Sequence, residues 1–421
     1  MFVLRFKALA ALGIVLASTL GSAGQVRAVD PLKTFTPNNG CRNTGPGFDV
    51  WLVGFRKQAV AAGVSARTVS AALDGLTLDQ ATLNTDRGQS FFHQSFLSFY
   101  DKLATKNRLD SGQRAMQRHK ALFEKAEQQY GVPAAPIAAL WALESDFGAG
   151  MGKKPTLAAL AALAWDCRRG EMFREELMAA LRVIDRGDLT PADMIGSWAG
   201  ELGQTQFLPS HYLAHAVDFD GDGRRDLMKN PADIIGSSAA LLAALGWRRG
   251  EPWLEEVRLP AEFDWSLANI KLDVEKPLSF WSSLGVTRAD GRPLGPDTQP
   301  TSLVVLMGRN GPAFLAYPNY RALLKWNQAL NYATTAAVLA NRIAGGSQIG
   351  RGTGTPIVVL ETNELRELQA LLARHGLYTG EQDGRLGFAT RSAIKEAQLQ
   401  VGLPADSYPS PELVERLRAR R

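Results

Sequence analysis

One carboxylate in this chain is well placed to move a proton. In PAAPIAALWALESDFG, residues 133–148, Ile137, Leu140, Trp141 and Glu144 fall at i, i+3, i+4 and i+7. A helix puts those positions on one side, so Glu144 shares an apolar face. Burial among apolar groups disfavours the charged carboxylate and raises its pKa. A carboxylic acid still protonated near neutral pH can protonate a leaving group. The same residue could instead be a buried glutamate paired with an arginine, and the helix alone leaves both readings open.

The loop GSWAGELGQTQFLPS, residues 196–210, adds glycines, two glutamines, an aromatic ring and two serines. Amides and hydroxyls can hydrogen-bond sugar substituents, and a flat apolar surface can take a sugar ring. Most glycosidases need a second carboxylate. Asp146, two residues from Glu144, points to another side of the helix. Glu201 could approach Glu144 from the loop, but neither spacing marks a nucleophile.

Two further sets of residues could hold a metal. Asp218, Asp220, Asp222 and Gly223 follow the D-x-D-x-D-G opening of a calcium loop, with the Arg224 carbonyl at position 7. Lys229 occupies position 12, where a glutamate is usual, and Asp233 is the nearest later acid. Asp233 has a second role open to it, because Asn230-Pro231-Ala232-Asp233 reads as N-cap, first-turn proline and N3 acid. A structural Ca²⁺ is therefore expected, with no cofactor for catalysis. His211 and His215 are four apart, but the intervening glutamate of a zinc protease is absent, and hydrogen-bonded histidines are the simpler reading.

The elements that must position these groups are mostly helices. Periodicity predicts helix over residues 48–73 with a break at Gly63, and again across 90–130, where Phe91, Phe92, Phe96 and Phe99 supply aromatic core. Further helices are expected at 157–165, 172–184, 231–246 and 319–343, with a helix start at Thr190-Pro191-Ala192-Asp193. Residues 257–259, 302–307 and 313–317 read as strands, the last two joined by a hairpin at 308–312. Tyr317, Tyr320, Trp326, Asn327 and Tyr332 surround one hairpin-to-helix turn, where they could line a groove or fill a core.

At 421 residues, 45% hydrophobic and 21% charged, the chain is a globular protein of two or three domains. Basic Arg5 and Lys7 before the apolar run Ala8–Leu20, and small residues before Val29, read as a signal peptide over 1–28. No cysteine follows the apolar run directly, so a lipoprotein anchor is not expected. The formal charge of +5 loses Arg5, Lys7 and Arg27 with that leader, leaving +2, which gives no reason to expect nucleic acid. In an exported protein the two cysteines, Cys41 and Cys167, tend to pair. The glycine-rich stretch 345–356 marks a boundary, with a module of about 55 residues beyond it.

Taken together, LESDFG, GSWAGELGQTQFLPS, VDFDGDGRRDL and KWNQALNYA, in that order, resemble the lytic murein transglycosylases of the B type. The resemblance implies a mainly helical, α+β protein: a goose-lysozyme-like catalytic core with a small β-containing lobe. Its catalytic domain would span 29–344, with a linker over 345–361. It implies Glu144 as the single acid/base, and Ser197, Gln206, Phe207, Trp326, Asn327 and Tyr332 as glycan contacts. It also implies Asp218, Asp220, Asp222, Arg224 and Asp233 as calcium ligands. Residues 362–421, with LQALLARHGLYTGEQDGRLG, resemble a small three-helix peptidoglycan-binding domain, although Ala397 and ADSYPS depart from its pattern.

The activity implied is cleavage of the β-1,4 bond between N-acetylmuramic acid and N-acetylglucosamine, leaving 1,6-anhydromuramyl ends. A hydrolytic muramidase and a non-catalytic wall-binding scaffold are the alternatives. The partners implied are peptidoglycan glycan strands and other cell-wall enzymes, for a monomer in the periplasm.

Overall fold

In the computed structural model, the described residues are 38, 40–88, 94–268 and 270–420. The signal-peptide reading and the roles of Phe91 and Phe92 fall outside them. The helix Ala134–Ser145 lies at the centre, with every residue from Ala135 to Ala142 buried. A helix that is apolar all round has no solvent face and must be surrounded. Leu330–Ile343 and Lys106–Arg118 pack along it. Thr156–Trp165 is equally apolar and packs on Gly170–Asp185.

The N-terminal helices are Phe48–Ala61 and Ala66–Leu73, separated at Gly63 (φ +91°) and restarted by the Ser65 cap. A bridge between Cys41 and Cys167, with Cα atoms 6.0 Å apart, ties the start of the described chain to this helical body. Beside it, Asp86 is buried and ion-paired with both Arg168 and Arg169.

The β lobe is a five-stranded antiparallel sheet. Its order is Lys276–Pro277, Pro300–Val304, Ala313–Ala316, Leu254–Arg258 and Thr287–Arg288. Alternation along the strands splits the interior in two. Val304, Phe314 and Leu254 face the main helical core, and the Phe314 ring meets Phe96 edge-on at 5.9 Å. Leu303, Leu315 and Val257 face the lobe's own core around Trp281. The sheet is therefore a wall shared by two cores.

The sequence reading needs correction in two places. Thr190 forms its capping box, but only the 3-10 turn Pro191–Asp193 follows. The chain turns at once into a short strand pair, Lys154–Pro155 against Ile195–Gly196, which no periodicity signalled. The expected helix 319–343 is two helices, Pro318–Trp326 and Leu330–Ile343. Asn327 adopts an extended conformation, and its side chain accepts from the Ala329 N–H at 3.0 Å.

The C-terminal module contains the helices Thr362–Arg374, Phe388–Gln400 and Pro411–Ala419 around Leu368, Leu372, Ile394 and Leu417. It is seated on the β lobe. Arg391 donates to the Leu306 carbonyl at 2.7 Å, Lys395 to the Ser266 and Ala268 carbonyls at 2.7 and 2.6 Å, and the Arg309 N–H to Asp406 at 3.0 Å. Asp406 belongs to the divergent ADSYPS turn, so the departure from the common pattern is used in docking. The glycine-rich linker is pinned as well: Gly350 N–H donates to Glu256, Thr353 N–H to the Asn310 carbonyl, and Arg351 pairs with Asp101.

Candidate active site

Glu144 occupies the last turn of the central helix, which ends at Asp146 in the left-handed conformation (φ 48°). Beyond it, Gly148 takes φ +93°, and a Cβ there would lie 2.6 Å from the Gln204 side chain. That close approach lets the loop 196–207 fold directly over the helix end. Two hydrogen bonds hold it, Trp141 Nε1 to Gln204 Oε1 at 2.8 Å and Ser145 Oγ to the Gln204 carbonyl at 2.5 Å, and the Gly148 N–H donates to the same Ser145 Oγ at 2.9 Å within the helix end. The loop is itself a tight hairpin, with Leu202 paired to both Gly196 and Phe207.

The result is a cavity of about 390 Å³ lined by Glu144, Ser197, Trp198, Glu201, Gln206 and His211, with Phe207, Trp326 and Asn327 completing the wall. Protein surrounds the carboxyl densely while one face keeps the cavity. Trp326 Nε1 donates to Glu144 Oε1 at 2.9 Å, and the Tyr332 hydroxyl donates to the same oxygen. Burial pushes the Glu144 carboxyl up to about 7; the two hydrogen bonds pull the other way, and the charge of Glu201 adds to the rise. With both donors on Oε1, Oε2 is the oxygen left to carry a proton into the cavity.

No arginine is among the hydrogen-bond partners of Glu144 in the described residues. Arg108 instead grips Asp146 with two bonds of 2.6 and 2.8 Å. That pair holds the Asp146 carboxyl below its usual range and removes it as a nucleophile. Residue roles divide further. Trp326 and Asn327 face the cavity, whereas Phe207 is buried under Trp326, edge to face at 5.6 Å, and offers no open stacking surface. Gln206, strained at φ 50°, spends its amide N–H on the Met151 and Gly203 carbonyls. Trp198 and His211 line the site and were not singled out from sequence as glycan contacts. Both lie within or beside the glycine loop, and their position there was the available signal.

His211 and His215 have rings 6.2 Å apart, and burial lowers both, His211 to about 4. No third metal-ligating side chain joins them among the described residues. In the acidic loop, carboxylate oxygens of Asp218, Asp220 and Asp222 converge within 4.8 Å of one another. Asp233 does not join that group. It is buried, and its two oxygens accept from the Phe219 and Asp226 N–H groups at 2.7 Å each, tying the two ends of the loop. A larger cleft, about 1250 Å³, lies between the β lobe and the linker, away from Glu144.

Residues 47–341 match the family described as the transglycosylase SLT domain, and residues 361–417 match a peptidoglycan binding domain. The chain is 29% identical over 267 residues to the membrane-bound lytic murein transglycosylase B of Escherichia coli, covering 63% of this chain and 72% of that one. Among solved structures, SltB3 of Pseudomonas aeruginosa in complex with NAG-anhNAM-pentapeptide is 40% identical, with a TM-score of 0.83 over 89% of this chain and 100% of that one. The Escherichia coli transglycosylase SLT35 in complex with calcium is 26% identical, with a TM-score of 0.60 over 75% of this chain and 98% of that one.

Proposed function

The chain belongs to the transglycosylase SLT family, and from that premise we propose how its site performs the lytic transglycosylation of peptidoglycan. The observation that carries the mechanism is the Glu144 carboxyl, raised to about 7 and facing the cavity. Near neutral pH a large fraction is protonated, so Glu144 gives its proton to the oxygen linking N-acetylmuramic acid to N-acetylglucosamine. As that bond breaks, the 2-acetamido carbonyl of the substrate stabilises the developing positive charge at C1, as in substrate-assisted glycosidases. Ionised Glu144 then takes the proton of the muramyl C6 hydroxyl, whose oxygen closes on C1. One carboxyl group serves both steps and no water is consumed. Asp146 is bound to Arg108, which fits a route needing no second carboxylate.

Trp326 and Tyr332 hold Oε1 and so fix the carboxyl plane. Ser197, Gln206, Trp326 and Asn327 take the glycan, while Phe207 backs Trp326. The C-terminal module adds a second hold on the wall. Calcium fits the acidic loop in part. Asp218, Asp220, Asp222 and the Arg224 carbonyl would hold it, with Asp233 as the anchor of the loop ends. Its contribution would be structural. A basic, apolar leader supports export to the periplasm, and no helix of the described residues is long and apolar enough to cross a membrane. The enzyme would act there as a monomer, able to meet other wall enzymes.

Digestion of purified murein sacculi, with products read by mass spectrometry, tests the reading. The expected product carries 1,6-anhydromuramyl ends. Reducing muramic acid ends, heavier by one water, would replace it with hydrolysis.

A further inference from the structure

Glu201 is a cavity carboxylate that the reaction above does not use. Its backbone carbonyl accepts from the Ser197 N–H at 3.2 Å, and its side chain takes the hydrogen of the Ser197 hydroxyl. The same hydroxyl oxygen accepts from the Ala199 N–H at 3.2 Å. A serine hydroxyl has one hydrogen and two lone pairs. The hairpin therefore consumes the hydrogen and one lone pair, and a single lone pair is left for the cavity. The turn that sets this geometry is closely packed. Gly200 sits at φ +92° with room for no Cβ, which would lie 2.3 Å from Leu160, and a Cβ on Gly196 would lie 2.0 Å from the Glu201 carbonyl.

We propose that Glu201 is a positioning residue that fixes Ser197 as an acceptor only, so that this wall selects a sugar presenting a hydrogen-bond donor, an amide N–H or a hydroxyl. The proposal rests on the glycan occupying this cavity. With its hydroxyl free to rotate, Ser197 could serve donor and acceptor groups alike. Held by Glu201, it disfavours a substrate that turns a carbonyl toward it, because two acceptors would face each other with no hydrogen between them.

The carboxylate also acts on Glu144 through its charge. The groups around Glu144 are the Trp326 indole and the Tyr332 hydroxyl from the two late helices, Glu201 from the hairpin, and neutral His211 from the short helix Pro209–His215. Arg108 and Asp146 neutralise each other at the helix end. Removing the Glu201 charge thus leaves an acid whose remaining influences are burial, which raises it, and two hydrogen bonds, which lower it.

A double-mutant cycle on glycan oligomers tests the proposal, with kcat, KM and products measured for Ser197→Ala, Glu201→Ala, the double variant and Glu201→Gln. Ser197→Ala and Glu201→Ala should each lower kcat/KM by about 3- to 10-fold, mainly through KM. The double variant should lose no more than either single change, because both remove one device. Glu201→Gln keeps an oxygen for the Ser197 hydroxyl and should recover most of KM, while the alkaline limb of its pH profile moves to lower pH. Losses that multiply, an unaffected Glu201→Ala, or a Glu201→Gln that behaves as Glu201→Ala would overturn it. Reducing ends from the wild type would instead sink transglycosylation and leave the cycle readable.

Discussion

The hydroxyl of Tyr332 donates to Oε1 of Glu144, 188 residues earlier in the chain. Trp326 donates to the same oxygen from only six residues before Tyr332. On one continuous helix, residues six apart point about 120° away from each other and sit about 9 Å apart along the axis, so their side chains diverge. The break at Asn327–Ala329 is what brings both to one atom. Ending one helix and starting another there turns two incompatible directions into a single clamp.

Replacing Glu144 by Gln keeps the shape and removes the exchangeable proton. Turnover of murein should fall by about 10³-fold or more, the range expected for loss of a general acid. A Gln variant that digests sacculi at wild-type rate would remove Glu144 from the mechanism.

The protonated carboxyl is the active form in the first step. The alkaline limb of kcat/KM is therefore expected near 7, where burial places Glu144. Tyr332→Phe deletes a hydrogen bond that favours the ionised form, so the limb should move to higher pH. Rates measured across pH 4–9 decide the sign, and a shift to lower pH would contradict the clamp.

Stability should follow the same group in the same sense, falling as the pH rises. Glu144 and the buried Glu176, whose oxygens both bind Ser210, are each raised from 4.5 to about 7, mainly by burial. Between those values the folded chain holds more protons than the unfolded one. The contribution is thus complete below about 4.5 and is lost as the pH rises through 7, by up to about 3 kcal/mol per group. Melting temperatures should decline over that window, and Glu144→Gln should flatten the decline.

The bridge Cys41–Cys167 closes a loop spanning 126 positions. The chain-entropy account puts its contribution at about 5 kcal/mol. Cys41→Ser with Cys167→Ser should lower the melting temperature by several degrees and leave the product unchanged. An unaltered melting curve would mean that the buried Asp86 ion pairs suffice there.

Calcium should raise the melting temperature of the wild-type chain by a few degrees, through binding to the folded state alone. Asp220→Ala with Asp222→Ala should abolish that response. A chelator with no effect on either protein would remove the metal from the loop.

Much of this was open to reading along the chain. The 3.6-residue periodicity placed Glu144 on an apolar face, and the glycine loop announced itself by composition. Four ordered motifs carried the family, and two cysteines behind a leader-like segment carried the expectation of a bridge. Local patterns suffice there because each depends on near neighbours or on a simple count. What faces Glu144 was different. Which of several aromatic side chains reach the acid, that Arg108 claims Asp146, and that Phe207 supports rather than receives all depend on packing between segments far apart in sequence. So did the orientation of the Ser197 hydroxyl, which the hairpin settles by closing on Glu201. Hydrogen-bond direction and burial are properties of an assembled neighbourhood, and no spacing within one segment encodes them.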